Sequence, residues 1–249
     1  MLFNALLVRA DGVADRLTAA GVAEFTAASQ AWDGPRFSAA AELFRQASTN
    51  APASSTNFYW LGVAQFHHML QRRSLPDSRT NTLAADATMS AALDTLETAV
   101  ALDSQHAESH ALLGTLYGMK INGNLLRAAR FGPRVQNHLH AAMRFGADNP
   151  RVRYLLGPCQ FHTARKPAAL REALASFLAA EKLFATEAQR PAGPLEPRWG
   201  YATCLTFVGR TYELLGQRAE AADYFHQALA RQPSDQSAKD GLARVAEKK

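Results

Sequence analysis

Residues Ala202–Asp235 read ATCLTFVGRTYELLGQRAEAADYFHQALARQPSD. Leu205, Val208, Gly209 and Tyr212 recur at the three-to-four-residue spacing of one helix face, and so do Ala221, Phe225 and Ala228. Gly216 lies between the two runs, where a residue without Cβ suits a turn, and Pro233 ends the second run because it cannot continue a helix. The stretch predicts two helices packed face to face. Gly209, Ala221 and Ala228 are small enough for close approach, while Tyr212 and Phe225 fill the space beside them.

The same order recurs upstream. Ala40, Phe44, Ala47 and Pro52 repeat the spacing of Ala221, Phe225, Ala228 and Pro233, with Asp33-Gly34-Pro35 as the turn and Ala28 in place of the glycine. Phe58, Leu61 and Gly62 open a second unit that closes with Ala92, Leu96 and Ala99. A third shows Leu113, Gly114 and Tyr117, then Val135, Leu139 and Ala142. A fourth shows Leu156 and Gly157, then Ala173, Phe177 and Ala180. Long connections are expected near 71–87 and 120–132, a shorter one at 164–170, and a Pro-rich connector, AQRPAGPLEPR, before the last unit. The first helix is expected to begin before Gly21, and residues 1–20 to form an extra turn or cap. Beyond Asp235, Ala238, Leu242 and Val245 form one apolar stripe opposite Lys239, Asp240, Arg244 and Glu247, as suits a helix shielding an open end.

A helix–turn–helix unit of 34 residues with small and large residues in this order resembles the tetratricopeptide repeat (TPR) family. The resemblance spans about residues 13–247. It implies an all-α, right-handed superhelix, an α-solenoid of about five repeats with a C-terminal capping helix, forming a single domain. The repeats fall at about 21–54, 55–106, 107–149, 150–187 and 202–235, and the cap at 236–247. With Asn149–Gly157 (NPRVRYLLG) and Pro197–Gly200 (PRWG), the chain looks most like bacterial TPR proteins with irregular repeats. The family implies protein binding. Its carboxylate clamp for chaperone tails would fall on Phe25, Ser29, Trp60, Glu108 and Leu112, none of which is a clamp residue.

Two first helices match each other beyond what the repeat requires. Tyr59–His68 reads YWLGVAQFHH and Tyr154–Thr163 reads YLLGPCQFHT, with six of ten positions identical. In TPR proteins the first helices line the concave face. Tyr59, Phe66 and His67, and Tyr154, Phe161 and His162, are therefore expected to line a groove for a peptide or protein segment, with Trp32 at the matching place in the first repeat. The corresponding positions of the last repeat, Thr206, Arg210 and Glu213, are polar.

Charge is uneven along the 249 residues. The net charge is +5, but Ser109–Arg171 holds ten Lys or Arg against one acid, Asp148. The alternative function is therefore electrostatic binding of an acidic partner, nucleic acid or an anionic membrane surface, with Lys120, Arg127, Arg130, Arg134, Arg151 and Arg153 as candidates.

Other chemistry finds no residue set. No phosphate loop, dinucleotide fingerprint or nucleophile elbow occurs, and the histidines lack metal-ligand spacing, so neither catalysis, a metal nor a cofactor is expected. Cys159 and Cys204 have no C-x-x-C context and are expected to be buried thiols, their pairing left open. No run reaches the roughly 18–20 apolar residues of a membrane span. Residues 1–17 have no basic residue before the apolar run and make a poor signal peptide. A cytoplasmic location is the default expectation, and a periplasmic one holds if the true start lies upstream or a leader was trimmed.

Overall fold

The structure, a computed structural model, describes the backbone of residues 2–247 and the side chains of residues 12–247. The leader reading rests on side chains that lie mostly outside this range. Eleven helices and no strand occur among the described residues: α1 (Leu2–Ala31), α2 (Gly34–Asn50), α3 (Ser55–Ser74), α4 (Arg79–Leu102), α5 (Ala107–Ile121), α6 (Leu125–Gly146), α7 (Pro150–Thr163), α8 (Pro167–Ala188), α9 (Tyr201–Leu214), α10 (Arg218–Arg231) and α11 (Gln236–Glu247). They fall into two units, Met1–Leu116 and Tyr117–Lys249.

Short polar residues start the helices where their side chains can receive the first amide protons. Asp33 accepts from Arg36 N, Ser54 from Asn57 N, Ser78 from Asn81 N, Asn124 from Arg127 N and Asn149 from Arg151 N. Each such cap is worth about 1 kcal/mol. Pro150 and Pro167 occupy first-turn positions, where a missing N–H costs nothing.

In unit 1, α1 packs on α2, α2 on α3 and α3 on α4, and α1 also reaches α3. A buried polar node ties three of them: Thr18 Oγ1 lies 2.8 Å from Asn57 Oδ1, and Asn57 Nδ2 donates to Ala47 O. A Cβ on Gly62 would stand 2.6 Å from Leu96 Cδ2, so the glycine admits that leucine. Gly21, two turns before Ala28, plays the same part for Phe44, with a Cβ placed 2.6 Å from the ring.

In unit 2, α7–α8 and α9–α10 form pairs, α8 packs on α9, and α7 touches α6 and α9. Gly157 receives Phe177, and Gly209 receives Phe225. α11 closes over the other side of Phe225 through Gly241, while Lys239, Asp240 and Arg244 face solvent. Full burial of a ring such as Phe225 contributes roughly 2–3 kcal/mol.

Two connections and the N-terminal segment differ from expectation. Only residues 75–78 separate α3 from α4, and only 122–124 separate α5 from α6, so most of 71–87 and 120–132 is helical. Both segments carry helix-forming Arg, Leu and Ala, and a Ser or Asn caps each second helix. The first helix begins before Gly21 as expected, and it runs through residues 2–31 with no separate turn ahead of it among the described residues. The Pro-rich connector is held from within. Arg198 donates to the carbonyls of Glu187, Arg190 and Pro191, and Glu196 accepts from Gly193 N. That backbone bond, followed by Arg190, holds the Glu196 carboxyl down at about 2.

Candidate partner-binding faces

The expected groove residues of α3 face its neighbours. Its neighbours α2 and α4 cover it, α1 reaches it, and Tyr59, Phe66 and His67 are all buried. Tyr59 is 1% exposed, and its phenol donates to the buried carboxylate of Glu108. His67 sits among Phe25 (4.9 Å), Phe66 (5.3 Å) and Phe37 (5.9 Å), and its Nδ1 donates to Val63 O. Burial pushes its pKa down to about 4, against the opposing pull of that carbonyl, so the ring is neutral at pH 7. Trp32 ends α1 in the left-handed region (φ 55°), packs its edge on Phe37 and donates its indole N–H to Ser74 Oγ. The expected lining of the first two repeats is thus packing around a turn and a core. Covering α3 on both flanks is the physical reason.

The matching stretch in unit 2 is different. Tyr154 is buried against Phe177, Phe184 and Phe207. Two turns later, Phe161 meets α9 edge-on at Phe207 (5.4 Å, 80°), and Phe207 stacks on Phe177 (5.1 Å, 18°). His162 is exposed beside Phe207. Arg210, one turn beyond Phe207, lays its guanidinium over both rings, 5.0 Å from Phe161 and 5.4 Å from Phe207. Phe207 and Arg210 were not singled out as site residues by sequence. Their i, i+3 spacing opposite Phe161 was the available signal.

Arg210 is half-buried and makes no direct ion pair or hydrogen bond among the described residues, although the carboxylates of Glu213 and Asp235 act on it from a distance. The acids nearby are committed. Glu213 holds Arg244 through two bonds, at 2.6 and 2.9 Å. Asp235 accepts from Thr206 Oγ1 at 2.6 Å and caps α11 through Ala238 N. Burial, then the charge of Arg244, pull the Arg210 pKa below its ordinary value, against the opposing pull of Glu213 and Asp235. Burial, then Arg210, do the same to His162.

The basic candidates separate. Arg151 is buried in a two-pronged ion pair with Glu187 (2.7 and 2.9 Å) and lies over Phe184, so it is no surface cation. Arg153 is half-buried and donates to Ala147 O. Lys120, Arg127, Arg130 and Arg134 gather at the end of α5 and the first three turns of α6. Cys204 is buried as expected, but Cys159 is exposed, because its side of α7 faces solvent. Both are free thiols. Among the described residues no three His, Cys, Asp or Glu are grouped to hold a metal ion, and no helix is long and apolar enough to cross a membrane.

No family model and no curated protein sequence matches the chain. Solved structures do. TTC0263, a thermophilic TPR protein of Thermus thermophilus, superposes with a TM-score of 0.62 at 17% identity, over 91% of this chain and 99% of that one. A chain of the APC/C hetero-tetramer Cut9–Hcn1 superposes with a TM-score of 0.61 at 17% identity, over 99% of this chain and 40% of that one. Likeness at that identity speaks to architecture alone, and with the glycine-admitted helix pairs it identifies this chain as an all-α protein of the tetratricopeptide-repeat fold.

Proposed function

We propose that the chain is a non-enzymatic scaffold that docks an acidic segment of another protein on the α7/α9 face of unit 2. The observation that carries this reading is Arg210. A half-buried guanidinium, set over two rings and without a direct ion-pair partner, is placed to receive a carboxylate. An Asp or Glu of the partner meets Arg210, and an adjacent apolar side chain covers the edges of Phe161 and Phe207. His162 borders the contact. The aromatic share of the site is thus reduced from seven residues in three repeats to one pair of helices.

Fluorescence anisotropy with labelled peptides tests this. Peptides pairing Asp or Glu with Leu or Phe are compared with the same peptides carrying Asn or Gln. The acidic peptides are expected to bind, and Arg210→Gln to weaken them by about thirtyfold or more, the loss that follows from removing one partner of a desolvated charge pair. Equal binding of acidic and neutral peptides, or an unchanged affinity in Arg210→Gln, would overturn the reading.

A further inference from the structure

The start of α6 carries two adjacent leucines in open solvent. Leu125 is 86% and Leu126 84% exposed, well above Leu83 and Leu214 at 60%, the next most exposed large apolar side chains described. Cations surround them. Leu126 and Arg130 share a helix face one turn apart, Arg127 is the next residue, and Lys120 lies just across the turn. From Ser109 to Ala147 the chain has no acid at all, and none of Lys120, Arg127, Arg130 or Arg134 has an ion-pair partner among the described residues.

Three of these cations are positioned. Phe131 stacks on Tyr117 (5.7 Å, 24°), and Tyr117 on His138 (5.8 Å, 11°), giving a column of rings along the α5–α6 contact. Lys120 and Arg130 lie over Phe131, at 5.4 and 5.2 Å. Arg134 lies over Tyr117 and donates to its hydroxyl at 2.7 Å. The column fixes a set of positive charges beside a protruding apolar tip.

We propose that the α5–α6 corner docks on an anionic lipid bilayer, with Leu125 and Leu126 entering the headgroup–acyl boundary and Lys120, Arg127 and Arg130 engaging headgroup phosphates. The charge complementarity is that of any polyanion, and the leucines decide among them. Nucleic acid would use open ring faces, but Tyr117 is stacked on both Phe131 and His138, Lys120 and Arg130 lie over Phe131, and exposed aliphatic tips give a base or phosphate nothing. A protein segment would use a groove, whereas these leucines stand out from the surface instead of lining one. A fluid bilayer accommodates a protruding apolar tip. This docking is independent of the Arg210 face.

The test is co-sedimentation of the full chain with vesicles of phosphatidylcholine containing about 30% phosphatidylserine, beside vesicles of phosphatidylcholine alone. Binding is expected to the anionic vesicles only, and to weaken as salt rises. Leu125→Ser/Leu126→Ser is expected to lower the partition coefficient about tenfold, and Arg127→Gln/Arg130→Gln to abolish binding. All four side chains are exposed, and circular dichroism verifies that the variants remain helical. Arg210→Gln is expected to bind vesicles like the wild type, so the two sites fail or succeed separately. No sedimentation at low salt overturns the proposal. So does binding that the leucine variant leaves unchanged, or tight binding of single-stranded RNA that the leucine variant retains in full.

Discussion

The guanidinium carbon of Arg210 lies 5.0 Å from the ring centroid of Phe161, across the contact between α9 and α7. The two rings confine the guanidinium, so we infer that shape as well as charge defines the receptor for a carboxylate. Lys at this position keeps the charge but neither stacks flat nor presents paired donors. Arg210→Lys is therefore expected to weaken acidic peptides by about five- to tenfold, between the wild type and Arg210→Gln. Anisotropy titrations of the three proteins with one peptide decide it. An affinity for Arg210→Lys equal to the wild type would show that charge alone is read.

His162 gives the same face a pH dependence. Burial first, then Arg210, hold its pKa below the ordinary value, so the imidazole is neutral at pH 7. Acidification protonates it and places a second positive charge beside the bound carboxylate, which in turn raises the imidazole pKa. Affinity for acidic peptides is expected to rise as pH falls from about 7.5 to about 5, since a Glu side chain stays ionised down to about 4.3. His162→Gln is expected to remove that rise. A slope that persists in His162→Gln places the titrating group elsewhere.

Glycine at the helix crossings has an opposite-signed control. A Cβ on Gly157 would stand 2.2 Å from Phe177 Cε1, while a Cβ on Gly118 of α5 would meet nothing within 4 Å. Gly157→Ala is expected to destabilise by about 1–3 kcal/mol through overpacking, and Gly118→Ala to stabilise by up to about 1 kcal/mol through helix propensity. Urea unfolding midpoints measure both. Similar shifts of the same sign would mean that Phe177 moves freely out of the way.

The same crossings explain how much was legible beforehand. Gly62, Gly157 and Gly209 recur at matching places in their repeats because Leu96, Phe177 and Phe225 must pack against them, so a ruler taken from Ala202–Asp235 found the helix pairs. The helical 79–87 and 125–132 were hidden because most of their side chains stay exposed or half-buried, so no apolar period marks a buried face. Tyr59, Phe66 and His67 show why ring spacing alone misleads. These three rings point at the neighbouring helices and are buried, whereas Phe58 and His68 of the same helix are only half-buried. Arg210 was visible as a polar position, but its value depends on Phe161, 49 residues away in sequence, coming to lie beneath it.

Arg151 and Glu187 join the start of α7 to the end of α8, with side chains 3% and 9% exposed. Two charges out of water are tolerable only together. Glu187→Gln strands the guanidinium over Phe184 and is expected to cost about 3–5 kcal/mol. Arg151→Met/Glu187→Leu is expected to cost less than Glu187→Gln alone, because neither variant side chain leaves a buried charge. Urea denaturation of the single and double variants forms the cycle. A double variant as unstable as the sum of the singles would show that the pair is not coupled.

His67 makes stability depend on pH in a defined window. Its folded value, about 4, lies below the ordinary 6.5 that it regains on unfolding. As pH falls, the unfolded chain therefore takes up the proton first, and the folded state loses ground. The contribution is fully present above about pH 6.5, is lost progressively down to about pH 4, and is flat below that. The difference between the two values corresponds to about 3 kcal/mol across the window. His68, His106 and His162 are shifted in the same direction, so the wild-type curve alone does not isolate His67. His67→Phe does, since a phenyl ring fits among Phe25, Phe37 and Phe66 without a titrating nitrogen. Relative to this variant, the wild type is expected to lose up to about 3 kcal/mol between about pH 7 and about pH 4.5, read from urea midpoints at each pH. A constant difference between the two proteins would mean that His67 reaches water in the folded state.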